Sequence, residues 1–199
     1  MQAVYGGIDL GINGRSEEAL ILAGGAGRRM LGRDKGRMPF RGNPLVFYPL
    51  TAARERGLKI TISCNRFRFQ YRAMADQVVS DHSAGYPGPL VALSESLQVI
   101  TSSHCVIIPC DTPFFSAEHL DKLLAESRRY PDHWIVAVSR DGVHPLHAVF
   151  PMCHFEKLKT LVKQGERRMM RAMKQFPRRE IYLPSKALTN VNHLRGLSC

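Results

Sequence analysis

The sequence predicts an α/β fold, with helices layered around one mostly parallel sheet. Three observations predict it. Short apolar runs of strand length alternate with segments of helical pattern from residue 19 almost to the C-terminus. The first run ends in a glycine-rich turn followed by arginines and a lysine, a loop whose backbone N–H groups and basic side chains suit phosphates. The next runs also end in polar or charged residues, as expected at the carboxyl edge of an open α/β sheet, where ligands bind.

The elements follow in order. Residues 19–23 are a buried strand stopped by Gly24-Gly25-Ala26-Gly27-Arg28-Arg29-Met30. Residues 44–56 read as a helix with Pro44 in its first turn, and 59–63 as a strand leading into Ser63-Cys64-Asn65-Arg66. A helix over 67–74 and a strand over 78–80 bring the chain to Asp81. Pro89 opens a helix over 89–100 after the rigid turn Tyr86-Pro87-Gly88. The strand over 105–109 delivers Cys110-Asp111-Thr112-Pro113. Ser116 is an N-cap, with Glu118 close behind, for a helix over 116–130. Strands over 134–139 and 146–150 flank the turn Asp141-Gly142-Val143-His144-Pro145, which predicts a small antiparallel excursion. Helices over 153–163 and 168–175 and a strand over 180–183 complete the pattern. Residues 1–18, with four glycines and no periodicity, read as an N-terminal extension, and 19–199 as a single domain without repeats or linkers.

Composition narrows the function. The chain has 199 residues, 44% hydrophobic and 23% charged, ordinary for a globular domain. No apolar run approaches the ~20 residues that span a bilayer, and residues 1–18 lack the basic start and apolar run of a signal peptide. Five cysteines, an odd number without a CxxC pair, predict free thiols in a reducing cytoplasm rather than disulfides or a zinc site. A net charge of +11 asks for an anionic partner. The basic residues are scattered and carry no aromatic-interleaved patch, which argues against nucleic acid; half or more of them suit solvated helix faces, and small polyphosphates explain the rest equally well.

The glycine loop is neither a dinucleotide fingerprint, since Met30 stands where the third glycine belongs, nor a P-loop, since no Gly-Lys-Ser/Thr occurs. Asp111 at a strand end is placed to ligate Mg²⁺, with helix capping as the plainer reading. Asp81 and Asn65 suit either nucleotide contacts or turns. His144, His147 and His154 share no face at their spacing, which favours structural or substrate-binding roles over metal ligation. Gly165-Glu166-Arg167-Arg168 offers arginines at a helix start for a second phosphate, and Asn190-Val191-Asn192 offers paired amides for a polar heterocycle.

Taken together, these motifs resemble the molybdenum cofactor guanylyltransferase family (MobA). The resemblance rests on Leu22-Ala23-Gly24-Gly25 with Arg28-Arg29-Met30 and Asp34-Lys35-Gly36, on Tyr86-Pro87-Gly88-Pro89-Leu90, and on Pro109-Cys110-Asp111-Thr112-Pro113. It continues through Asp141-Gly142 with His144-Pro145, Gly165-Glu166-Arg167-Arg168 and Asn190-Val191-Asn192, in order and in register.

The resemblance implies a Rossmann-like three-layer sandwich and a cytoplasmic, Mg²⁺-dependent nucleotidyltransferase. Such an enzyme places GMP from GTP on the terminal phosphate of molybdopterin and releases pyrophosphate. By match, Leu22, Ala23 and Gly24 hold the guanine and ribose, and Gly25 shapes the loop. Arg29 and Lys35 meet the triphosphate, Asp81 binds the nucleotide and Asp111 holds Mg²⁺. Either Ser63 or Asn65, with Asn65 preferred, contacts the nucleotide. His144, Pro145, Arg167, Arg168, Asn190 and Asn192 line the pterin side. Transient contact with cofactor-insertion proteins is implied; nucleic acid and membrane are not. Leu31, Gly85 and Val91-Ala92 depart from the family pattern. The alternatives are a relative using CTP or a sugar phosphate, or a non-catalytic cofactor binder.

Overall fold

The computed structural model describes residues 15–23, 34–80 and 88–191. Gly24, Gly25, Arg29, Leu31, Asp81, Gly85 and Asn192, singled out by the sequence, lie outside these residues.

The first strand, β1 (Glu17–Leu22), begins two residues before the predicted run. Glu17 and Glu18, grouped by sequence with the extension, therefore belong to the sheet. Their charge hid this, because Glu18 is fully buried. Its carboxylate accepts a hydrogen bond from Thr61 Oγ1 at 2.7 Å and lies 3.5 Å from Lys59 Nζ. A buried carboxylate persists when hydrogen-bonded and paired in this way. Ahead of it, Arg15 ties the strand to a helix through Ser127, donating to its carbonyl at 2.9 Å and its hydroxyl at 2.7 Å.

A single turn of 3-10 helix (Lys35–Arg37) leads into a two-residue hairpin, β2 (Pro39–Phe40) and β3 (Asn43–Pro44). Pro44 is thus not a first-turn helix residue as predicted; it closes the hairpin, and helix α1 starts later (Phe47–Arg54). There follow β4 (Lys59–Ser63), α2 (Arg68–Arg72), β5 (Gln77–Val79), α3 (Pro89–Leu97) and β6 (His104–Pro109). The chain continues through α4 (Ala117–Arg129), β7 (Trp134–Ser139), β8 (Gly142–Pro151), α5 (Phe155–Lys163), α6 (Met169–Met173) and β9 (Arg178–Tyr182). Ser116 caps α4 as predicted, but its partner is His119, whose Nδ1 accepts the Ser116 amide at 3.1 Å.

Seven strands form one sheet in the order β5-β4-β1-β6-β8-β7-β9. Only β8 is reversed, pairing antiparallel with both β6 and β7. The predicted turn at 141–145 is shorter than expected, since β8 already begins at Gly142. Between β7 and β8 the register jumps, so that Val136 faces Ala148 while the next residue, Ala137, faces His144. Residues 145–147 are the slack in that bulge. Pro145 fits there because it has no N–H to give a ladder.

Alternation along each strand splits the core into two faces. On one, Leu20, Ile107, Val136 and Phe150 meet α3, α5 and α6. Trp134 anchors this side, edge-on to Phe150 at 4.8 Å and Phe176 at 5.6 Å. On the other face, Ala19, Ile21, Ile60 and Ile62 pack with Leu50 and Ala53 of α1 and Tyr71 of α2. Val106, Ile108 and Ile135 pack there with Leu120, Leu123 and Leu124 of α4. The result is the three-layer Rossmann-like sandwich.

Candidate active site

The sheet order reverses direction at β1. From there the chain first builds outward through β4 and β5, then returns to add β6 on the other side. Such a reversal parts the connecting loops at the carboxyl ends of the two strands and opens a crevice between them. A cavity of about 410 Å³ lies there. Its walls are Leu22 and Ala23 at the end of β1, Ser63 at the end of β4, Pro89 and Ala92 of α3, and residues 109–111 after β6. Lys35, residues 143–147 of β8 and Asn190 complete it.

Each strand end is fixed by backbone bonds across the switch. The Ala23 amide donates to the Ser63 carbonyl at 2.8 Å, and the Cys110 amide to the Leu22 carbonyl at 3.1 Å. These hold the walls rigid, and a rigid scaffold is what lets a few side chains act together. The Asp111 carbonyl accepts the Val191 amide at 2.8 Å, which carries Asn190 into the cavity.

The charged centre is an ion pair between Lys35 Nζ and Asp111 Oδ2. Both side chains are mostly buried, 26% and 14% exposed. The plainer reading of Asp111 as a cap of α4 does not hold, since Ser116 occupies that place. Neighbouring Cys110 is buried, and burial pushes its thiol well above the usual range, with Asp111 adding to the effect. It is therefore a packing residue rather than a nucleophile.

Thr112 and His147 support the Asp111 loop from below. Thr112 Oγ1 donates to the Pro109 carbonyl at 3.3 Å and lies 3.0 Å from His147 Nε2. The Thr112 hydroxyl and the His147 imidazole thus share a hydrogen bond that ties the Asp111 loop to β8. Burial lowers the His147 pKa to about 3, helped by His144 next to it, so the ring is neutral at working pH. His144 is bonded instead to Ser139 Oγ, 2.9 Å from its Nε2. Burial lowers its pKa too, against the opposing pull of Asp141. His154 is remote, with its Nε2 2.7 Å from the Asp132 carbonyl. Among the described residues no group of three or more His, Cys, Asp or Glu could hold a metal by itself.

The structure therefore brings Leu22, Ala23, Lys35, Ser63, Asp111, His144, Pro145 and Asn190 together around one cavity. Ser63 lines it, with its hydroxyl 2.8 Å from that of Ser96 in α3. Asn65 does not line it, and its Oδ1 is buried without a hydrogen-bond partner among the described residues. Arg167 and Arg168 also stand off the walls. Arg167 donates to the Val162 and Glu166 carbonyls at 2.7 and 2.8 Å, and both backbone amides donate to Glu166 Oε1. Their loop lies near the start of α3: a Cβ added at Gly88 would have the Arg167 carbonyl as its nearest neighbour, 3.9 Å away. The structural role read for His147 is borne out, while its partner Thr112 and the Ser96 contact to Ser63 escaped the sequence reading. No local pattern marks a bond between residues 35 positions apart. Among the described residues no helix is long and apolar enough to cross a membrane.

Comparison with known proteins agrees with this fold. The MobA-like NTP transferase domain matches residues 19–178. The molybdenum cofactor guanylyltransferase of Pseudomonas entomophila is 36% identical over 156 residues, 77% of this chain and 80% of that protein. That of Pseudomonas aeruginosa is 36% identical over 149 residues, 74% and 75% of the two chains. Among solved structures, molybdopterin-guanine dinucleotide biosynthesis protein A from Archaeoglobus fulgidus superposes with a TM-score of 0.68, at 21% identity, over 89% of this chain and 93% of that one. A chain so matched along most of its length belongs to the family of MobA-like NTP transferase domains.

Proposed function

We propose that the protein transfers GMP from GTP to the terminal phosphate of molybdopterin or the molybdenum cofactor, forming the guanine dinucleotide cofactor and pyrophosphate. The observation that carries this reading is the Lys35–Asp111 pair in a cavity between the carboxyl ends of β1 and β6. The names of the relatives, at 36% identity over three quarters of the chain, supply the nucleotide and the acceptor.

In such a transfer a phosphate oxygen of the acceptor attacks the α-phosphorus. The bond to the β-phosphate oxygen breaks, and pyrophosphate leaves with the electron pair. The acceptor is already ionised at neutral pH, so the chain need not supply a general base. Its tasks are positioning and neutralisation of charge. Lys35 is held in reserve on Asp111 and turns its ammonium to the triphosphate, where it stabilises the departing charge. Leu22, Ala23 and Gly24 receive the base and ribose, Gly25 shapes the loop that binds the nucleotide, and Ser63 or Asn65 and Asp81 complete the nucleotide side. Arg29 joins Lys35 on the phosphates. His144, Pro145, Asn190 and Asn192 face the acceptor, with Arg167 and Arg168 at its phosphate end.

Asp111 suits Mg²⁺: it presents a single hard carboxylate at the cavity floor, and Mg²⁺ in nucleotide sites takes one or two carboxylates with the rest from phosphates and water. Held there by Asp111, the ion would supply positive charge that offsets the phosphates and makes the α-phosphorus more open to attack. Free cysteines, three of the four described ones buried, support a reducing cytoplasm.

The test is pyrophosphate release from GTP or CTP with purified molybdenum cofactor and Mg²⁺, for the wild type and Asp111→Asn. Release from GTP alone, reduced about 10²–10³-fold in the variant, is expected. Release from CTP alone, or none from folded protein, would overturn the assignment.

A further inference from the structure

The segment Asp34-Lys35-Gly36 contains one residue that the mechanism uses and two that it does not. Both of the others are gripped by α2. Tyr71, fully buried, donates its hydroxyl to Asp34 Oδ1 at 2.6 Å. Burial, and then Asp34 itself, push the Tyr71 pKa far up, so the phenol stays a donor. The same ring fills the space beside Gly36: a Cβ added there would stand 2.5 Å from Tyr71 Oη and 3.4 Å from Cζ. Gly36 lies within the right-handed 3-10 turn and has no positive φ, so glycine is demanded here by the tyrosine rather than by the backbone.

From the other side, the Gly36 carbonyl accepts the Val46 amide at 2.9 Å. One residue further on, the Arg37 guanidinium stacks over the Phe67 ring at 4.5 Å. Phe67 precedes α2 in the left-handed region, with φ 55°, a conformation that is strained for a bulky side chain.

Lysine has a long flexible stem, and an ammonium at its end is placed only as well as its Cα is. Here residues 34, 36 and 37 are each tied down around Lys35. We propose that Tyr71 is a positioning residue: by holding Asp34 and filling the space at Gly36 it fixes the Lys35 backbone so that the ammonium reaches the Asp111 side of the cavity. The proposal rests on the guanylyl-transfer reading for its catalytic consequence, but the placement of Lys35 can be measured without turnover.

The experiment compares the wild type, Tyr71→Phe, Gly36→Ala and the double variant. Each is trace-acetylated without nucleotide, and Lys35 labelling is measured by mass spectrometry relative to the exposed Lys122 and Lys174. Pyrophosphate release is measured alongside, with kcat and KM for GTP separated. Tyr71→Phe is expected to raise Lys35 labelling and lower kcat roughly tenfold, the effect of losing one hydrogen bond to a charged group. Gly36→Ala is expected to be worse, since its methyl meets the hydroxyl. Adding Tyr71→Phe removes that oxygen and should restore the double variant to the level of Tyr71→Phe alone. A purely structural tyrosine would shift the melting temperature and leave kcat of the folded enzyme, Lys35 labelling and the rescue unmoved. That result overturns the proposal. Should Tyr71→Phe not fold, Asp34→Ala breaks the same bond and must raise Lys35 labelling. A wild type that releases no pyrophosphate, yet shows the labelling pattern, overturns the activity assignment and leaves the positioning role standing.

Discussion

His147 makes the protein acid-sensitive by an amount that can be worked out. Its ring is 3% exposed, bonded to Thr112, packed 5.2 Å from the Phe115 ring, and faced by His144 at 6.0 Å. Its folded pKa is about 3, against an ordinary 6.5. Between those values the unfolded chain binds a proton that the native state refuses, so stability falls as pH falls through that window. From about pH 7 to about pH 5 the loss attributable to this one ring is about 2 kcal/mol. His147→Gln keeps an N–H for Thr112 but cannot titrate. Urea unfolding near pH 7, 6 and 5 should show the wild type losing about 2 kcal/mol more than the variant over that range, with equal denaturant slopes. His104, His119 and His144 also have lowered values and add acid sensitivity to both proteins, so the difference isolates His147. Parallel pH profiles, or a His147 ring resonance titrating near its ordinary value, would refute the reasoning.

Two further outcomes follow from the fold. Trp134→Ala, which empties the aromatic cluster at the start of β7, should destabilise by about 3–5 kcal/mol and lower the melting temperature by about 10 °C. GTP affinity of the folded protein should be unchanged, because the site lies at the opposite edge of the sheet; calorimetry checks both. Gly88→Ala places a side chain at φ 101° just before α3, where L-residues are strained whatever the space. It should lose more than ~1 kcal/mol in thermal unfolding and raise KM for GTP, since α3 supplies Pro89 and Ala92 to the cavity.

The central strands were legible because β1, β4 and β6 are buried on both faces. Continuous apolar runs such as residues 105–108 are what a strand covered by helices on each side requires. The strand ends named the site for the same reason: Ser63, Asp111 and Leu22 sit where those runs stop, and all line the cavity. What misled was local. Pro44 looks like a helix start, but the hairpin that claims it has arms of only two residues, too short for a period to show. Asp141-Gly142 correctly marks a turn, yet Pro145 suggested that it ran on, because a proline inside a strand is tolerated only at irregularities and the bulge is invisible in sequence. Glu18 was set outside the sheet because its partners, Thr61 and Lys59, are more than 40 residues away. The contributions of Thr112, Ser96 and Tyr71 are likewise contacts between segments.

The register jump in β8 has a consequence beyond geometry. An ordinary strand shows every second side chain to a ligand and commits the others to the core. Here five successive residues, 143 to 147, reach the cavity wall, while regular pairing resumes at Ala148 and still holds at His144. This wall of the cavity is thus a short contiguous text flanked by fixed punctuation. Pro145, which stands in the bulge unpaired with β7, is where this wall can change without disturbing the ladder, whereas Val143 and Leu146 also pack against the core and are held by it.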